Sequence, residues 1–537
     1  MKRIVFLSAI AAGILVVNSC KNISDDFKTI KPEILKDKIA GGWAGKMIGV
    51  TYGAPTEFRA QGRIYTDSIK WEPSDIKGSM WQDDIYVQLT FLMSMDKYGV
   101  DAPAKKYQEM FAKAGYGLWH ANMQARKNFY DSIFAPLSGT PEYNLHADDI
   151  DFQIEADYIG FMCPGMPQTA SAIADKVGRI MNYGDGVYGG IFVAALYCEA
   201  YFEKDILKIV EKALLSLPSE SDYYKIVKDV IKLYRHYPMD WMAAWKELED
   251  KWGDVDICGA GSTFNIDAKL NGAYIVLGLL YGEGDLMKTL EISTRCGQDS
   301  DCNPSNAMAV LGVIKGFSGL PLNMQKGVKS MGDSTFIHTT YSFNSAVTST
   351  FNYALNLAEK NGGVIKGNKI RIKTQRPVEP KLEVAFPNVV FDSNISPADK
   401  KNWNIKGAWA VKLRRGRDVP EFESLVTAEA GAEIELTFEG TGVSITGRWV
   451  RDGGKADVYV DGTLHRTIDT YYNFARQQHT ASIWHILNLQ PGDHTIRMVV
   501  KGEKRPESEG TNVYITGATI FKTEPKKSDN FKFSFEK

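Results

Sequence analysis

The 537-residue sequence contains little cysteine and little histidine, and it has no excess of either charge. Six cysteines are too few for a disulfide scaffold. Lysine and arginine number 63 against 65 aspartates and glutamates, a formal net charge of −2. That balance excludes the strong basic excess that is typical of nucleic-acid-binding proteins. Beyond the first twenty residues, the sequence has no apolar run of the roughly 20 residues that span a membrane.

The composition otherwise indicates a folded globular protein. Apolar residues make up 44% of the chain and charged residues 24%. This apolar content is enough to form packed cores, and disorder is therefore excluded as the main state. At roughly 150 residues per domain, the length allows two to four domains.

The N-terminus has the pattern of a signal peptide. Lys2 and Arg3 precede an apolar stretch, 4–17, that is too short to span a bilayer. The stretch ends at Ser19 and Cys20, which resemble a bacterial lipobox. We therefore expect a signal peptide over 1–19, lipidation of Cys20 and a lipoprotein of the outer membrane, facing the periplasm or the cell surface. An ordinary secretory signal and a buried helix are the alternatives.

Helical periodicity dominates the chain from about residue 30 to 345. In the segment 84–97, apolar side chains recur at helical spacing, and β-branched alternation is scarce throughout this half. The sequence therefore predicts an all-α domain over 30–345. Further helices are predicted at 193–202, 205–217, 223–234, 241–252, 271–280 and 307–315.

The second half predicts an all-β sandwich. Ile434, Leu436 and Phe438 alternate with polar residues, and Asp461-Gly462 is typical of a hairpin turn. We expect a connector over 346–380 and the sandwich over 381–525. Its tryptophans fit either a sugar-binding surface or the core, and the core is the better interpretation for any one of them: Trp403, Trp409, Trp449 and Trp484.

Two short acidic segments carry the strongest chemical signal. Gln82-Asp83-Asp84 opens one predicted helix, and Asp299-Ser300-Asp301 lies just before another. One carboxylate at a helix N-terminus is typical of a cap. Two acidic pairs brought together would repel each other without a cation, and Asp-x-Asp is a pattern that suits a hard ion such as Mg²⁺.

With two other segments, these residues resemble the ADP-ribosylglycohydrolase family. The resemblance covers the helical half and implies an orthogonal helical bundle that cleaves a glycosidic bond with one or two Mg²⁺ ions. The matching segments are 37–57, with spaced glycines and a final Glu57; 82–84, at the family's Thr-Asp-Asp; 183–190, with Asp185-Gly186; and 299–303, at the family's Asp-Thr-Asp-Thr-Asn.

The resemblance also implies roles for individual residues. Gln82 and Cys302 replace the two family threonines, and a thiol is a poor ligand for Mg²⁺, so we expect an altered metal site. The implied metal ligands are Gln82, Asp83, Asp84, Asp299 and Asp301, and the implied catalytic residues are Glu57, Asp84 and Asp301.

Four further residues are candidates for substrate binding. Asp185 and Gln298 lie within or next to the matching segments. Glu155 and Asp157 precede a Met-Cys-Pro-Gly loop, where they would bind sugar hydroxyls, supply an extra acid, or simply form a polar turn.

The cysteines and histidines give no site from their spacing. No histidine has a metal-ligand spacing, and no Cys-x-x-Cys pair occurs. Besides Cys20, we expect buried free thiols, with a Cys296–Cys302 disulfide as the alternative: Cys163, Cys198, Cys258, Cys296 and Cys302.

The predicted function is that of a glycoside hydrolase acting on an extracytoplasmic glycan or furanoside. One alternative is a Mg²⁺-dependent ADP-ribosyl hydrolase, and another is a non-catalytic glycan-binding lipoprotein. We expect a carbohydrate or glycoside as partner, contact with the membrane through the lipid anchor only, and no nucleic acid. The sequence predicts no particular protein partner.

Overall fold

A computed structural model describes residues 26–536 except 254–255, 260, 415–420 and 475–477. The predicted signal peptide and Cys20 lie outside the described residues. None of the helices in the described part of the chain is long and apolar enough to cross a membrane.

The first half is helical, as predicted. Its helices are α1 (Pro32–Gly53), α2 (Asp83–Tyr98), α3 (Ala104–Lys113), α4 (His120–Tyr130), α5 (Asp151–Glu155), α6 (Asp157–Phe161), α7 (Pro167–Gly178), α8 (Asp185–Ala200), α9 (Ile206–Leu214), α10 (Asp222–His236), α11 (Trp241–Trp252), α12 (Ala268–Gly282), α13 (Leu286–Arg295), α14 (Cys302–Lys315), α15 (Leu322–Lys329) and α16 (Phe343–Lys360). Short 3₁₀ helices span Ala54–Thr56, Pro73–Trp81, Leu137–Gly139 and Phe317–Gly319 in this half, and Ser534–Glu536 near the end of the chain.

Helices α1 and α14 pack backbone to backbone at the centre of this half. A Cβ atom at Gly45 would lie 2.4 Å from the Met308 carbonyl oxygen, and one at Gly49 would lie 2.3 Å from that of Pro304. The spaced glycines of α1 therefore let the two helices approach more closely than side chains would allow. This contact brings the acidic segment before α14 against the C-terminal end of α1.

The segment predicted as a connector contains most of α16 and two strands of a small antiparallel sheet. These strands are β2 (Val364–Lys366) and β3 (Lys369–Lys373), and β3 pairs with β1 (Phe27–Ile30). Phe27 lies opposite Lys373, and Ile30 lies opposite Ile370. The start of the described chain is thus tied to the end of the helical half.

The second half is a sandwich of two antiparallel sheets that share one apolar core. Asp461 and Gly462 both have positive φ, which is the conformation that a tight hairpin turn requires. The strands are β4 (Val389–Ile395), β5 (Trp403–Lys406), β6 (Ala410–Arg414), β7 (Glu421–Thr427), β8 (Glu433–Gly440), β9 (Gly442–Trp449), β10 (Lys455–Val460), β11 (Thr463–Asp469), β12 (Gln478–Ile486), β13 (Gly492–Val500) and β14 (Val513–Thr523). A short helix, α17 (Lys527–Asn530), follows them.

The two sheets have simple orders. One runs β11-β10-β13-β8-β5, and the other runs β12-β9-β14-β7-β6 with β4 paired to β14. Trp403, Trp449 and Trp484 are buried, so the core interpretation is confirmed for these three. Trp409 is partly buried and donates a hydrogen bond from Nε1 to the Lys406 carbonyl at 3.1 Å.

The sandwich lies against the C-terminal end of α4. Arg505 forms ion pairs with Asp131 of the helical half at 2.5 Å and with Asp469 of β11 at 2.7 Å. A cleft of about 860 Å³ lies between the two halves and is lined partly by aromatic rings such as Tyr130 and Tyr471. None of the predicted catalytic or metal-binding residues lines this cleft.

Candidate active site

The acidic segments that are distant in sequence meet at one place. Carboxylate oxygens of Glu57, Asp299 and Asp301 lie within 4.8 Å of one another. An oxygen of Asp84, an oxygen of Asp301 and Sγ of Cys302 satisfy the same limit. We call the group formed by Glu57, Asp83, Asp84, Asp299 and Asp301 the acidic site.

Helix capping explains only part of this arrangement. Asp301 is the N-cap of α14, and its Oδ1 accepts a hydrogen bond from the Cys302 amide at 3.0 Å. Asp83 Oδ1 accepts from the Asp84 amide at 3.2 Å at the start of α2. The helix N-termini favour these charges. Asp84 and Asp299 are not needed as caps, and both are buried.

The carboxylates raise one another's pKa. Burial, followed by the charges of Glu57 and Asp84, raises the pKa of Asp299 to about 7. Burial and the neighbouring Asp84 raise the pKa of Asp83 to about 6. Burial and Asp299 raise the pKa of Asp301 well above its usual range. Near neutral pH the site therefore holds protonated and ionised carboxyl groups side by side, which is the state that acid–base chemistry requires.

A buried lysine lies beneath the acidic site. Lys46 Nζ, on α1, is 3.0 Å from Asp84 Oδ1 and 3.0 Å from Asp157 Oδ2, and it donates to the Ile154 carbonyl at 2.8 Å. Burial lowers the pKa of Lys46, but the two carboxylates more than offset this, so the ammonium stays charged. Sequence reasoning missed Lys46. The signal that could have found it is an ionisable residue surrounded in sequence by small and apolar residues of α1.

Asp157 lies behind Lys46 and not at the surface of the site. It is fully buried, and its Oδ1 accepts hydrogen bonds from the Tyr197 hydroxyl at 2.5 Å and from Asn306 Nδ2 at 3.0 Å. Both of its oxygens are thus engaged by protein groups, and Asp157 helps to position Lys46. Its contact with substrate stays a prediction.

The side chains of Gln298 and Asp185 also form hydrogen bonds with protein groups. The Gln298 side chain is buried, accepts from the Asn265 amide at 3.0 Å and donates to the Thr263 carbonyl at 2.9 Å. Both ends of its amide thus hold the loop before α12. Asp185 accepts from the Tyr223 amide at 3.3 Å, and Lys269 and Asp222 are among its charged neighbours. These contacts give both residues a structural role, and their contact with substrate stays a prediction.

Glu155 is a buried carboxyl group close to the acidic site. Its Oε1 accepts from Asn122 Nδ2 at 2.5 Å, and among the described residues its Oε2 has no hydrogen-bond partner. Burial, followed by the charge of Asp151, raises its pKa well above the usual range, and Asp83 and Asp84 add to this. Burial thus favours the protonated form of Glu155, and its contact with substrate stays a prediction.

The two residues at the positions of the family threonines behave differently. Gln82 is the N-cap residue of α2, and its backbone carbonyl accepts from Ile85 and Tyr86 at 3.1 Å each. Cys302 donates from Sγ to Asp84 Oδ2 at 3.2 Å. All five described cysteines are free, so the Cys296–Cys302 disulfide does not form.

The comparison with protein families decides the relationship of the helical half. The family model for ADP-ribosylglycohydrolase matches residues 31–346, more than half of the chain. The chain belongs to the ADP-ribosylglycohydrolase family. The resemblance that the sequence suggested, and the helical fold that it implied, are thereby confirmed.

Other similarities are short or distant. Over 73 residues, 14% of the chain, the sequence is 42% identical to an A type blood alpha-D-galactosamine galactosaminidase and 40% identical to an A type blood N-acetyl-alpha-D-galactosamine deacetylase, both from Flavonifractor plautii. The matches cover 6% and 9% of those proteins. The chain therefore spans less than a tenth of the length of these curated relatives. A solved ADP-ribosylglycohydrolase-related protein complex aligns with 60% of this chain and 99% of its own, at 13% identity and a TM-score of 0.40.

Proposed function

We propose that the protein is a glycoside hydrolase whose acidic site cleaves the bond at an anomeric carbon. The observation that carries the proposal is the meeting of Glu57, Asp299 and Asp301 within 4.8 Å above a lysine-paired Asp84. Cleavage of a glycoside needs a carboxylic acid to protonate the leaving oxygen and a carboxylate on the opposite face of the sugar. Carboxyl groups whose pKa is raised to about 6 and about 7, those of Asp83 and Asp299, can provide both states near neutral pH.

The residues divide these tasks by their surroundings. Glu57 is exposed at the rim and exchanges protons with solvent, so it delivers the proton to the leaving oxygen. Asp84 is paired with the Lys46 ammonium at 3.0 Å, and its carboxylate would stabilise the positive charge that develops on the sugar ring. Asp301, whose carboxylate oxygen lies within 4.8 Å of those of Glu57 and Asp299, is placed to receive the proton of the attacking water.

The donor set fits one hard cation and not two. Asp299 and Asp301 offer carboxylate oxygens, and Mg²⁺ is usually held by one or two carboxylates together with waters. The two oxygens of Asp84 face the Lys46 ammonium and the Cys302 thiol, and neither neighbour suits a second Mg²⁺. We therefore propose a single Mg²⁺ held by Asp299 and Asp301, which would orient sugar hydroxyls and water.

The substrate that we propose is a carbohydrate outside the cytoplasm. The predicted signal peptide and lipidation of Cys20 support the location. The names of the two partial relatives, which refer to blood-group amino sugars, support the class of substrate. Release of ADP-ribose, the activity that the family name suggests, is the second candidate. The Lys46 ammonium beside Asp84 argues against a version of that reaction that uses two metal ions.

A panel of glycans, aryl glycosides and ADP-ribosyl-arginine tests this function. Each compound is incubated with the enzyme in Mg²⁺ and in EDTA. We expect sugar release from at least one glycoside, reduced about 10²- to 10⁴-fold in kcat by D301N because an acid–base group is lost. D250N is the matched control, since Asp250 is an exposed aspartate of α11 outside the acidic site, and we expect its rate to stay within twofold of the parent, the size of effect usual for surface substitutions.

The other outcomes discriminate between the hypotheses. Release of ADP-ribose alone, dependent on Mg²⁺, would favour the second candidate. Glycan binding without release of any product would favour the non-catalytic lipoprotein.

A further inference from the structure

Next to the acidic site lies a second group of side chains with different donor atoms. One atom each of His120, His146, Asp149 and Cys258 lies within 4.8 Å of the others. We call this group the histidine–cysteine cluster. The proposed hydrolysis makes no use of it, and no spacing in the sequence predicts it.

Three separate parts of the chain supply these residues. His120 is the first residue of α4, and its positive φ of 42° is unusual for a residue that is not glycine. His146 and Asp149 lie in the turn before α5. Cys258 lies in the loop between α11 and α12. A long-range meeting of this kind on a strained backbone is typical of a functional site.

The spacing of the donor atoms matches a tetrahedral metal site. Two ligands at 2.0–2.3 Å from a common tetrahedral centre stand about 3.3–3.6 Å apart. Cys258 Sγ is 3.6 Å from His120 Nδ1, and His120 Nδ1 is 3.5 Å from Asp149 Oδ2. His146 Nδ1 is 2.9 Å from the same oxygen. All four donor atoms lie within 4.8 Å of one another, so binding of an ion would draw the more distant pairs together.

Asp149 is surrounded by other acidic groups, and a cation would reduce the repulsion among them. Asp149 is fully buried, and among the described residues its Oδ1 has no hydrogen-bond partner. Asp256, Asp151 and Asp148 are its charged neighbours, and its ion pairs within the described ranges are those with the two histidines. A bound cation would supply positive charge beside this buried carboxylate.

The cluster is accessible to an ion from solvent. The side chains of His120 and His146 are 26% and 20% exposed, and Cys258 is partly exposed. A buried carboxylate at the bottom and three partly exposed donors at the rim give an entry path, which a metal site requires.

A simple hydrogen-bonded cluster would not need all four groups. One imidazole donating to Asp149 would satisfy that oxygen, yet two imidazoles turn Nδ1 towards it, and a thiol completes the group. Two nitrogens, one oxygen and one sulfur form a donor set that suits zinc and not Mg²⁺.

We propose that His120, His146, Asp149 and Cys258 bind one Zn²⁺ ion. Four protein ligands complete a tetrahedron, so the ion is structural and leaves no open position for a substrate. It ties the loop that carries Cys258 to the starts of α4 and α5. The same loop is held further along by Gln298, directly before Asp299 of the acidic site. Zinc therefore fixes one side of the proposed active centre.

Zinc binding can be measured on the whole chain without knowledge of its substrate. The protein is stripped with a chelator, dialysed against Zn²⁺, and analysed for bound metal. We expect one zinc per chain, and at least about tenfold weaker binding in both C258S and H146N. Loading with Co²⁺ in place of Zn²⁺ gives a second readout, a near-ultraviolet absorption band from thiolate ligation.

Two matched variants make the test specific. C302S removes the thiol of the acidic site, and D301N removes one of its carboxylates; both are expected to keep one zinc and the Co²⁺ band. Loss of the band in C258S but not in C302S supports the proposal. Absence of bound zinc in the parent protein, or an unchanged zinc content and band in C258S, would overturn it. Should H146N fail to fold, the isosteric C258S and the parent spectrum still decide.

Discussion

The acidic site and the histidine–cysteine cluster are neighbours that compensate the charge of their buried carboxylates in different ways. Asp151 connects them, because it interacts with Asp83 on one side and Asp149 on the other. Both contain buried carboxylates that cannot all be ionised together. The acidic site has a fixed ammonium, Lys46, built into α1. The cluster has nitrogen and sulfur donors instead, which suit an exchangeable ion. A buried charge is thus compensated either by the chain itself or by a ligand, and the donor atoms indicate which.

The largest expected effect comes from removing the built-in cation. K46M leaves Asp84 and Asp157 buried without their partner, which costs about 3–5 kcal/mol of the free energy of unfolding. K36M changes an exposed lysine of the same helix and is expected to cost less than about 0.5 kcal/mol. Denaturant unfolding of both variants measures the difference. Equal midpoints for the two variants would show that Lys46 is not the compensating charge.

Next in size is the stabilisation of the acidic site by Mg²⁺, which depends on pH. The pKa of Asp299, about 7, and that of Asp83, about 6, are above their unfolded values near 4, so the folded state binds more protons between these limits. By linkage, this part of the stability is present at low pH and is lost as the pH rises through 6 to 7. Mg²⁺ competes with the protons and should restore it at pH 8.

Thermal unfolding with and without Mg²⁺ at pH 5 and pH 8 measures this effect. At a hundredfold excess over its dissociation constant, the ion adds about 2.7 kcal/mol at pH 8 and much less at pH 5. D299N should abolish the gain and leave any effect of Zn²⁺ intact. A gain from Mg²⁺ that is equal at both pH values would contradict the assignment.

The smallest predicted effect comes from disturbing the packing of α1 on α14, which should change metal binding at the acidic site but not at the histidine–cysteine cluster. In G49A the new Cβ would stand 2.3 Å from the Pro304 carbonyl oxygen, so the helices must move apart at a cost of about 1–3 kcal/mol. G115A is the matched control, because a Cβ at Gly115 meets nothing within 4 Å. We expect G49A to weaken Mg²⁺ binding and leave zinc binding unchanged. Equal losses of Mg²⁺ and zinc affinity in G49A would show that the two sites are not independent.

Local patterns in the sequence predicted several of the elements, and the family resemblance predicted the meeting of the acidic segments. Apolar spacing predicted α2 and α11 nearly to their ends, and Asp461-Gly462 predicted a turn that the structure contains. The family resemblance brought Asp84 and Asp301 together, although 217 positions separate them. These features depend on neighbours in sequence or on a recognisable motif.

Burial and long-range contacts were beyond those patterns. Asp157 was predicted to be a sugar ligand because it is polar. Only the packing shows that it pairs with Lys46 and accepts hydrogen bonds from Tyr197 and Asn306. Cys258 and His120 are 138 residues apart, so no local spacing predicts their contact. The one available signal was the short separation of His146 and Asp149. Histidine spacing alone therefore missed a cluster whose fourth member is a lone cysteine.

Hydrolysis of a glycan panel in ¹⁸O-labelled water tests the central claim most directly. The mass of every product is read for the parent enzyme, for D301N and for G115A, whose new Cβ meets nothing within 4 Å. We predict one ¹⁸O at the anomeric carbon of a released sugar, nearly absent with D301N and retained with G115A. Label in acetate and none in any sugar would identify a deacetylase, and no labelled sugar from any glycan would contradict the assignment of the acidic site to glycosidic cleavage.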